Sequence, residues 1–191
     1  MMNRRDALTR VSLILGGTII GAEAFLTGCK PAAPALSTIE FTENNITFLD
    51  EVGETILPTT ESSPGAKAAG IGAFMKVIVS DCYEAEDQKI FLEGIGQLNE
   101  EAKTKAGKDF LLLSADEKTE LLTALDATAK AYEEGKADEA KSHYFTMMKQ
   151  LTLWGYFSSE VGATQALRYV ETPGRYDGCV PYEKGQKAWA T

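Results

Sequence analysis

The side chains that could do chemistry in this sequence are few, and their spacing assembles no catalytic or metal site. His143 is the only histidine, which excludes a histidine-rich metal centre and leaves no convincing Ser-His-Asp set. His143 and Met147 are residue types that ligate electron-transfer haems. Because residues four apart share one helix face, they cannot bind opposite sides of one iron. We therefore expect no catalytic residue, cofactor ligand or metal ligand in this chain, and a structural role for His143.

A glycine-rich run, GAKAAGIG at 65–72, is the one segment that could suggest a phosphate cradle. It follows a polar loop instead of a strand, and its glycines match neither the dinucleotide-binding pattern nor the P-loop spacing. We therefore predict that this run does not bind a nucleotide.

Cys29 is the one residue to which the sequence assigns a definite chemistry. It ends the sequence LTGC at 26–29, which closely resembles a lipobox. The small residues at 27 and 28 let a signal peptidase approach the backbone, and the thiol is the nucleophile on which a diacylglyceryl group is built. Each buried CH₂ of a lipid contributes about 0.8 kcal/mol, and more than one chain gives stable anchoring. Cys29 is therefore predicted to be a lipid anchor.

Residues 1–28 have the organisation of an export signal. Arg4 and Arg5, with Leu8 three residues on, resemble the twin-arginine motif, although two neighbouring positions depart from its commonest form. The apolar stretch at 11–26 is too short and too interrupted by glycine to hold a membrane span of about 20 residues. Twin-arginine export is the favoured interpretation, and ordinary export of a basic signal peptide is the alternative.

Two cysteines remain if Cys29 is lipidated, and the spacing of the three matches neither a CxxC metal site nor a CxxCH haem site. In an oxidising envelope, Cys82 and Cys179 could form one disulfide between the second helix and the C-terminal segment. Such a bond would close a long loop and stabilise the fold by roughly 2–4 kcal/mol. The alternative is two separate thiols, one of them buried.

The charge of the chain excludes one class of partner. Without residues 1–28 the chain keeps 16 basic and 26 acidic residues. Nucleic-acid binding usually needs a basic face that releases counterions, and the lysines here are interleaved with glutamates along predicted helices, as on a solvated surface. We therefore expect no nucleic-acid partner.

The elements that carry these residues are predicted to be helices. Apolar residues recur at spacings of three and four, and no alternating run exceeds four residues, so the class is all-α, a compact bundle of about five helices with an irregular C-terminal segment. The first helix is capped by Thr42 and stopped by Pro58, and a capping box of Ser114 with Glu117 opens the fourth. A second helix is predicted at 71–83 and a third around 90–98, which ends before the polar run at 100–108. The fourth helix is predicted to end at Gly135. A long, central fifth helix is predicted at 138–169.

The chain divides into three predicted parts: a twin-arginine-type lipoprotein signal peptide at 1–28, a lipid-anchored tether at 29–40 and a helical domain at 41–191. The tether contains KPAAPALS, with two prolines and no periodicity. Glycine and proline break any helix in the last twenty residues, but disordered tails are poor in aromatics. The aromatic residues there are therefore expected to dock, either on this domain's own helices or on a partner protein.

Four stretches, which taken together are hydrophobic and punctuated by glycine and proline, contain no catalytic motif. They are FLDEVGETILPTTESSPGAKAAGIGAFM at 48–75, DCY at 81–83, LTLWGYFSSEVGATQALRYV at 151–170 and PGRYDGCVP at 173–181. Together they resemble the gluconate 2-dehydrogenase subunit 3 family, the small subunit of periplasmic flavin-dependent dehydrogenases. The lipobox is not expected of every member of that family.

The resemblance implies a non-catalytic subunit. FAD would lie in a separate large dehydrogenase subunit, and a cytochrome c subunit or the respiratory chain would accept the electrons. The resemblance also implies that residues 154–161 and the C-terminal segment belong either to the core or to the contact with a partner. The candidate interface consists of Trp154, Phe157, Tyr176, Tyr182 and Trp189.

The export route points to the same function. Twin-arginine transport carries folded proteins, commonly loaded with a cofactor, and a cofactor-loaded partner would account for its use here. We therefore expect an accessory subunit of a membrane-associated FAD-dependent sugar or alcohol dehydrogenase, which exports, anchors and stabilises the flavoprotein on the periplasmic side of the cell envelope. The main alternative is a stand-alone helical lipoprotein acting as a binding module. An independent enzyme would need a pocket with convergent polar groups.

Overall fold

Five α-helices build the part of the chain that the computed structural model describes, residues 41–176 and 178–190. They are α1 (Glu43–Ile56), α2 (Ile71–Cys82), α3 (Ala85–Ala106), α4 (Ala115–Gly135) and α5 (Tyr144–Ser158). Short 3₁₀ helices at Ala66–Ala69 and Phe110–Leu112 lie in two connections, and a π-helical turn, Gly162–Ala166, follows α5. Strand β1 (Arg168–Tyr169) pairs in parallel with β2 (Trp189–Ala190). The predicted all-α class and irregular C-terminal segment are confirmed.

Side-chain caps begin two helices where the sequence predicts them. The Thr42 hydroxyl accepts a hydrogen bond from the Asn45 N–H at 3.2 Å at the start of α1. At the start of α4 the Ser114 hydroxyl accepts from the Glu117 N–H at 3.3 Å, and the Glu117 carboxylate accepts from the Ser114 N–H at 2.8 Å. These bonds satisfy backbone donors that a helix start leaves unpaired. The predicted N-cap and capping box are therefore confirmed.

Helix α3 is longer than predicted, because its polar last turns still cover the core. The prediction ended this helix before residue 100, whereas the structure continues it to Ala106. Ala102 is fully buried inside this polar run, and Lys103 pairs with Glu100 at 3.0 Å on the exposed side. The helix ends at Gly107, whose φ of 71° favours glycine.

Helix α5 is shorter than the predicted span of 138–169. At its start, His143 is extended and its Nδ1 accepts a hydrogen bond from the Phe145 N–H at 3.1 Å. At its end, Ser159 leaves the helical conformation, and its hydroxyl accepts from the Gly162 N–H at 3.0 Å. Apolar residues such as Val161 and Leu167 continue past its end, so the hydrophobic pattern overestimates the helix there, whereas residues 138–143 before its start are mostly polar.

Helix α5 is the central element of the bundle, as predicted. It packs against each of the other four α-helices. Eight of its fifteen residues are buried, among them Phe145, Met148 and Thr152. The Thr152 hydroxyl donates to the Met148 carbonyl at 2.8 Å, so this buried polar group is satisfied within the helix.

Glycine allows two of the helix crossings to be close. A Cβ on Gly155 would lie 2.5 Å from a ring carbon of Phe74, so α5 and α2 can cross here only without a side chain. A Cβ on Gly72 would lie 2.3 Å from the Ile46 carbonyl oxygen, so α1 and α2 can also cross this closely only without a side chain at that position. These crossings bring Phe74 of α2 beside the exposed side of α5.

A partly buried ion pair joins α1 to α4. Lys118 Nζ donates to Glu51 Oε1 at 2.7 Å, and Lys67 Nζ reaches Glu51 Oε2 at 3.1 Å. Lys118 also lies over the Phe110 ring, 5.7 Å from its centroid. The hydrogen bond from Lys118 is the main reason that the pKa of Glu51 is lowered, with Lys67 adding to it against the opposing effect of burial. This pair therefore stabilises the fold only while Glu51 is ionised.

Replacing Lys118 with methionine is expected to lower the free energy of unfolding by about 2 kcal/mol at pH 7, because Glu51 loses its closest partner. A carboxylate with a lowered pKa stabilises the folded state above its unfolded pKa of about 4.3, and this stabilisation is lost as the pH falls through the folded pKa. The loss of unfolding free energy caused by Lys118→Met should therefore be smaller at pH 3 than at pH 7, as measured by urea unfolding at both pH values.

The matched control is Lys130→Met, because Lys130 forms only an exposed contact with Glu134 at 3.9 Å. It should change the free energy of unfolding by less than about 0.5 kcal/mol at either pH. A deficit for Lys118→Met that is equal at pH 7 and pH 3 would show that lost packing, and not the ion pair, causes the effect.

Candidate functional site

The outer side of α5 carries large apolar side chains that the bundle does not cover. Leu153, Trp154 and Phe157 lie on one side of the helix, and all three are exposed, Trp154 by 56%. Trp154 packs edge-on against Phe74 of α2, with ring centroids 5.4 Å apart and planes at 81°. Val77, one turn beyond Phe74, is 55% exposed. We call these five residues of α2 and α5 the aromatic face.

The chain from 168 to 190, here called the C-terminal arm, adds a second exposed group of aromatics. Its two ends pair as β1 and β2 through the Arg168 N–H to the Ala188 carbonyl and the Val170 N–H to the Ala190 carbonyl, at 2.8 and 2.9 Å. Lys187 donates its ammonium group to the carbonyls of Ser62 and Gln165. The arm is thereby tied to the loop before α2 and to the turn after α5.

The C-terminal arm encloses a cleft of about 820 Å³ with mostly apolar walls. The Arg168 guanidinium lies over one wall, the Trp189 ring, 4.4 Å from its centroid. A cation is attracted to the face of an aromatic ring, so this contact helps to hold the Trp189 ring in place. The described residues that line the cleft are Val170, Pro173, Gly174, Arg175, Tyr176, Val180, Pro181 and Trp189.

The glycine-rich run at 65–72 has its backbone donors occupied by the protein's own side chains. Glu54 accepts from the Lys67 N–H at 3.0 Å, Asp50 accepts from the Gly72 N–H at 2.7 Å, and Thr59 accepts from the Gly65 N–H at 3.0 Å. A phosphate cradle needs such N–H groups to be open to a ligand. These hydrogen bonds dock the loop onto α1 and leave those N–H groups engaged within the protein.

His143 has a structural role, as predicted. Its Nδ1 caps α5, and its ring stacks on Tyr144 with centroids 4.5 Å apart. Burial lowers the pKa of His143 against the raising effect of Glu101 and Glu133, which favours the neutral ring that this acceptor role requires. Met147 is buried in the core.

Within residues 41–176 and 178–190, no group of three or more His, Cys, Asp or Glu side chains is arranged to hold a metal ion. In the same part of the chain, no helix has both the length and the apolar character that crossing a membrane requires. The described residues expose most of their large apolar side chains on the aromatic face and the C-terminal arm, with Leu111, Leu112 and Tyr132 exposed elsewhere.

The geometry alone does not show to which protein family the chain belongs, whereas a comparison with family models does. The model of gluconate 2-dehydrogenase subunit 3 matches residues 43–174, more than half of the chain. The chain belongs to the gluconate 2-dehydrogenase subunit 3 family. The resemblance seen in the sequence is thereby confirmed, and this subunit 3 protein is an accessory subunit of a dehydrogenase. Comparisons with the curated proteins and with the solved structures gave no significant match.

The five residues predicted as the interface of this subunit 3 protein fall into two groups. Trp154 and Phe157 share the aromatic face. Tyr176 and Trp189 line the cleft of the C-terminal arm, and Tyr182 lies on the arm outside the lining. Tyr176 is 97% exposed, Tyr182 76% and Trp189 56%, so these rings do not cover the domain's own helices. The sequence did not indicate Phe74, because it belongs to the apolar pattern of α2 and meets Trp154 only in three dimensions.

The remaining residues singled out in the sequence have different outcomes. Arg4, Arg5 and Cys29 lie outside the described residues, and their roles stay predictions. The Cys82–Cys179 disulfide is not formed in the structure, where Cys82 is an exposed free thiol at the end of α2 and Cys179 is an exposed residue of the C-terminal arm. The pairing of Cys82 with Cys179 stays a prediction.

Proposed function

We propose that this protein is the non-catalytic small subunit of a membrane-associated, FAD-dependent sugar or alcohol dehydrogenase of the gluconate 2-dehydrogenase type. It escorts the large flavoprotein subunit out of the cytoplasm, anchors it on the periplasmic side of the cell envelope and stabilises it there. FAD belongs to the large subunit, and a cytochrome c subunit is a further partner that could take the electrons. Membership of the subunit 3 family supports the subunit role.

The observation that carries the proposal is the aromatic face. Monomeric soluble proteins seldom expose large contiguous apolar patches, and those that occur are often binding surfaces. Tryptophan is also among the residue types enriched in the side chains that dominate binding energy at interfaces. A half-exposed Trp154 braced by Phe74, on the most central helix of the bundle, is an anchor of this kind. We therefore assign the aromatic face to the contact with the large subunit.

The N-terminal sequence supports the escort and anchoring roles. Arg4 and Arg5 resemble a signal that exports folded proteins, and LTGC at 26–29 resembles a lipidation site. A flavoprotein that folds around FAD in the cytoplasm and has no export signal of its own needs a bound subunit that carries one. One chain would then supply the export signal, the lipid anchor and the binding surface.

Affinity purification tests the subunit role directly. The tagged protein is purified from detergent-solubilised envelopes, and the eluate is analysed by mass spectrometry and by flavin absorbance. We expect a large flavoprotein in stoichiometric amount. An eluate that contains this chain alone, without flavin, would instead support a stand-alone helical lipoprotein that acts as a binding module, the second candidate.

The anchoring role is tested by Cys29→Ala. The variant is expected to release mature protein from the membrane fraction, because the lipid chains that hold it there can no longer be attached. Fractionation and immunoblotting measure the share in each compartment, with Cys82→Ala as the control that keeps the lipidation site. Membrane retention of Cys29→Ala equal to that of the control would show that lipid is not the main anchor.

A further inference from the structure

We propose that the protein rests on the membrane surface through two exposed leucines, Leu111 and Leu112, and through the groove beside them between α3 and α4. This inference rests on the proposed function, because it gives the lipid-anchored subunit a defined side that faces the bilayer. The ligand is a surface of zwitterionic phospholipid. The contact orients the domain, while the lipid on Cys29 supplies most of the affinity. We call residues 110–113 the tip.

The tip presents two of its four apolar side chains to solvent. A 3₁₀ helix has three residues per turn, so Phe110 and Leu113 lie on the same side. Both are buried, and the Phe110 ring packs against Phe48 of α1 with ring centroids 5.1 Å apart. Leu111 and Leu112 lie away from this core and are 42% and 69% exposed. The fold of the domain gives no reason for these two leucines to be held in water.

The backbone of the tip is fixed before any contact with lipid. The Asn99 side chain of α3 accepts a hydrogen bond from the Phe110 N–H at 2.9 Å. The Leu112 N–H donates to the Asp109 carbonyl at 2.9 Å, and the Leu113 N–H donates to the Phe110 carbonyl at 3.2 Å. Three of the four N–H groups of the tip are thereby bonded within the protein, which lowers the cost of moving it from water into the headgroup region.

A groove of about 380 Å³ adjoins the tip, between the last turns of α3 and the first half of α4. Its charged lining residues are Lys105, Glu117 and Glu120, of which Glu117 is engaged in the capping box. Lys105, Glu120 and the nearby Lys108 are exposed, and within the described part of the chain none of them forms an ion pair. The apolar lining residues are Ala102, Ala106, Leu113, Leu121 and Ala124.

A zwitterionic headgroup matches this mixture of charges. Its phosphate oxygens can accept hydrogen bonds from Lys105 and Lys108, and the ammonium group of phosphatidylethanolamine can donate to Glu120. The leucines would enter the boundary between headgroups and acyl chains, while the lysines keep their ammonium groups at the level of the headgroups. An anionic lipid surface is less suitable, because it would repel a chain with a formal net charge of −9.

The predicted anchor is close enough to bring the tip to the bilayer. Phe41, where the described chain begins, packs against Phe91 of α3 with ring centroids 6.2 Å apart. Phe48, the partner of Phe110, lies seven residues further on, which is roughly 10 Å along α1. Cys29 lies twelve residues before Phe41, and a segment of that length spans at most about 40 Å. A lipid on Cys29 would therefore keep the tip within reach of the membrane.

The anchor also explains how so small a contact can be populated. Two leucines alone would bind a bilayer weakly, since even a single myristoyl chain gives only marginal binding. A domain already held at the surface meets the lipid at a high effective concentration, so a weak contact suffices to orient it. The tip packs on α1 and α3, whereas the aromatic face is on α2 and α5. The bilayer and the flavoprotein can therefore be contacted through different helices.

The first test is photo-crosslinking in intact envelopes, with p-benzoylphenylalanine in place of Leu112. The control has the same photoreactive residue in place of Tyr132, which is also exposed but lies near the end of α4. We expect a phospholipid adduct at position 112 and none at position 132, as measured by mass spectrometry. A crosslink from position 112 to the flavoprotein or to a second copy of this chain, or the absence of a lipid adduct, would overturn the inference.

The second test measures how fast an amine-reactive reagent labels lysines of the lipidated protein in vesicles of phosphatidylethanolamine and phosphatidylcholine. Lys105 and Lys108 should react about fivefold more slowly, relative to Lys130, than they do in the variant with Leu111→Ser and Leu112→Ser, because the lipid surface shields them. Lys130 is the internal reference, since its side chain is 75% exposed and lies further along α4. Equal ratios in the two proteins would show that the tip does not face the bilayer.

Sedimentation with the vesicles separates this inference from the proposed function. If the unmodified protein carries no lipid and does not sediment, the anchoring role has failed, and the inference fails with it. If the protein sediments but labelling of Lys105 and Lys108 does not depend on the leucines, the anchor stands and only the orientation by the tip is wrong.

Discussion

A variant in which lysine replaces both Arg4 and Arg5 is expected to leave this subunit and its flavoprotein partner together in the cytoplasm. Lysine keeps the positive charge that ordinary export signals require, but it lacks the guanidinium group of the twin-arginine motif. The loss of both proteins from the envelope should be nearly complete, because the flavoprotein reaches the envelope only while bound to this chain. Cell fractionation with immunoblotting and an assay of envelope flavin content measure it.

Arg10→Lys is the matched control, because it makes the same substitution in the same signal peptide outside the arginine pair. It should leave both proteins in the envelope. If the flavoprotein is exported normally while this subunit with lysines at positions 4 and 5 stays behind, the escort role is wrong. If both proteins still reach the envelope, the signal acts through ordinary export.

Replacing Trp154 and Phe157 together with serine is expected to raise the dissociation constant for the flavoprotein several hundredfold. Aromatic anchors at the centre of an interface each contribute about 2 kcal/mol, and each 1.4 kcal/mol is a factor of ten. Both side chains are partly exposed in the free subunit, and the fold loses the ring contacts of Trp154 with Phe74 and of Phe157 with Tyr156. Binding of the purified flavoprotein to immobilised subunit measures the change, and circular dichroism verifies that the bundle remains folded.

The control for this pair is Leu111→Ser with Leu112→Ser. These residues are also exposed and apolar, but they lie on the 3₁₀ helix Phe110–Leu112, outside the aromatic face and the C-terminal arm. The control should bind the flavoprotein as the unmodified protein does. If serine at positions 154 and 157 has no more effect than the control, the aromatic face does not contact the large subunit.

The helices could be predicted where local side chains determine them, and less well where tertiary contacts do. Thr42, Ser114 and Glu117 act within three residues of themselves, so their caps are visible in the sequence. The end of α3 depends on the burial of Ala102, and the start of α5 depends on an imidazole cap by His143, which is not among the usual capping residues. Neither effect can be seen in a periodic pattern.

The candidate interface could be predicted only in part, for a similar reason. Helix α5 is apolar on nearly every side, so periodicity does not separate the buried Phe145 from the exposed Trp154. The arm was expected to be irregular and aromatic, but its cleft depends on the pairing of Arg168 with Trp189, twenty-one residues apart in the sequence. The contact of Glu54 with the glycine-rich run could not be predicted either, because its carboxylate accepts a hydrogen bond from the Lys67 N–H thirteen residues further on.

The contact of α5 with all four other α-helices affects how much conformational entropy is lost when the large subunit binds. A helix held on so many sides can open only when the whole domain unfolds, so its amide hydrogens should be among the slowest to exchange with solvent. Three of the five residues of the aromatic face, Leu153, Trp154 and Phe157, are on this same helix, and their backbone is therefore already in the bound geometry before the large subunit arrives. Little conformational entropy remains to be lost there on association, and more of the contact energy is retained as affinity.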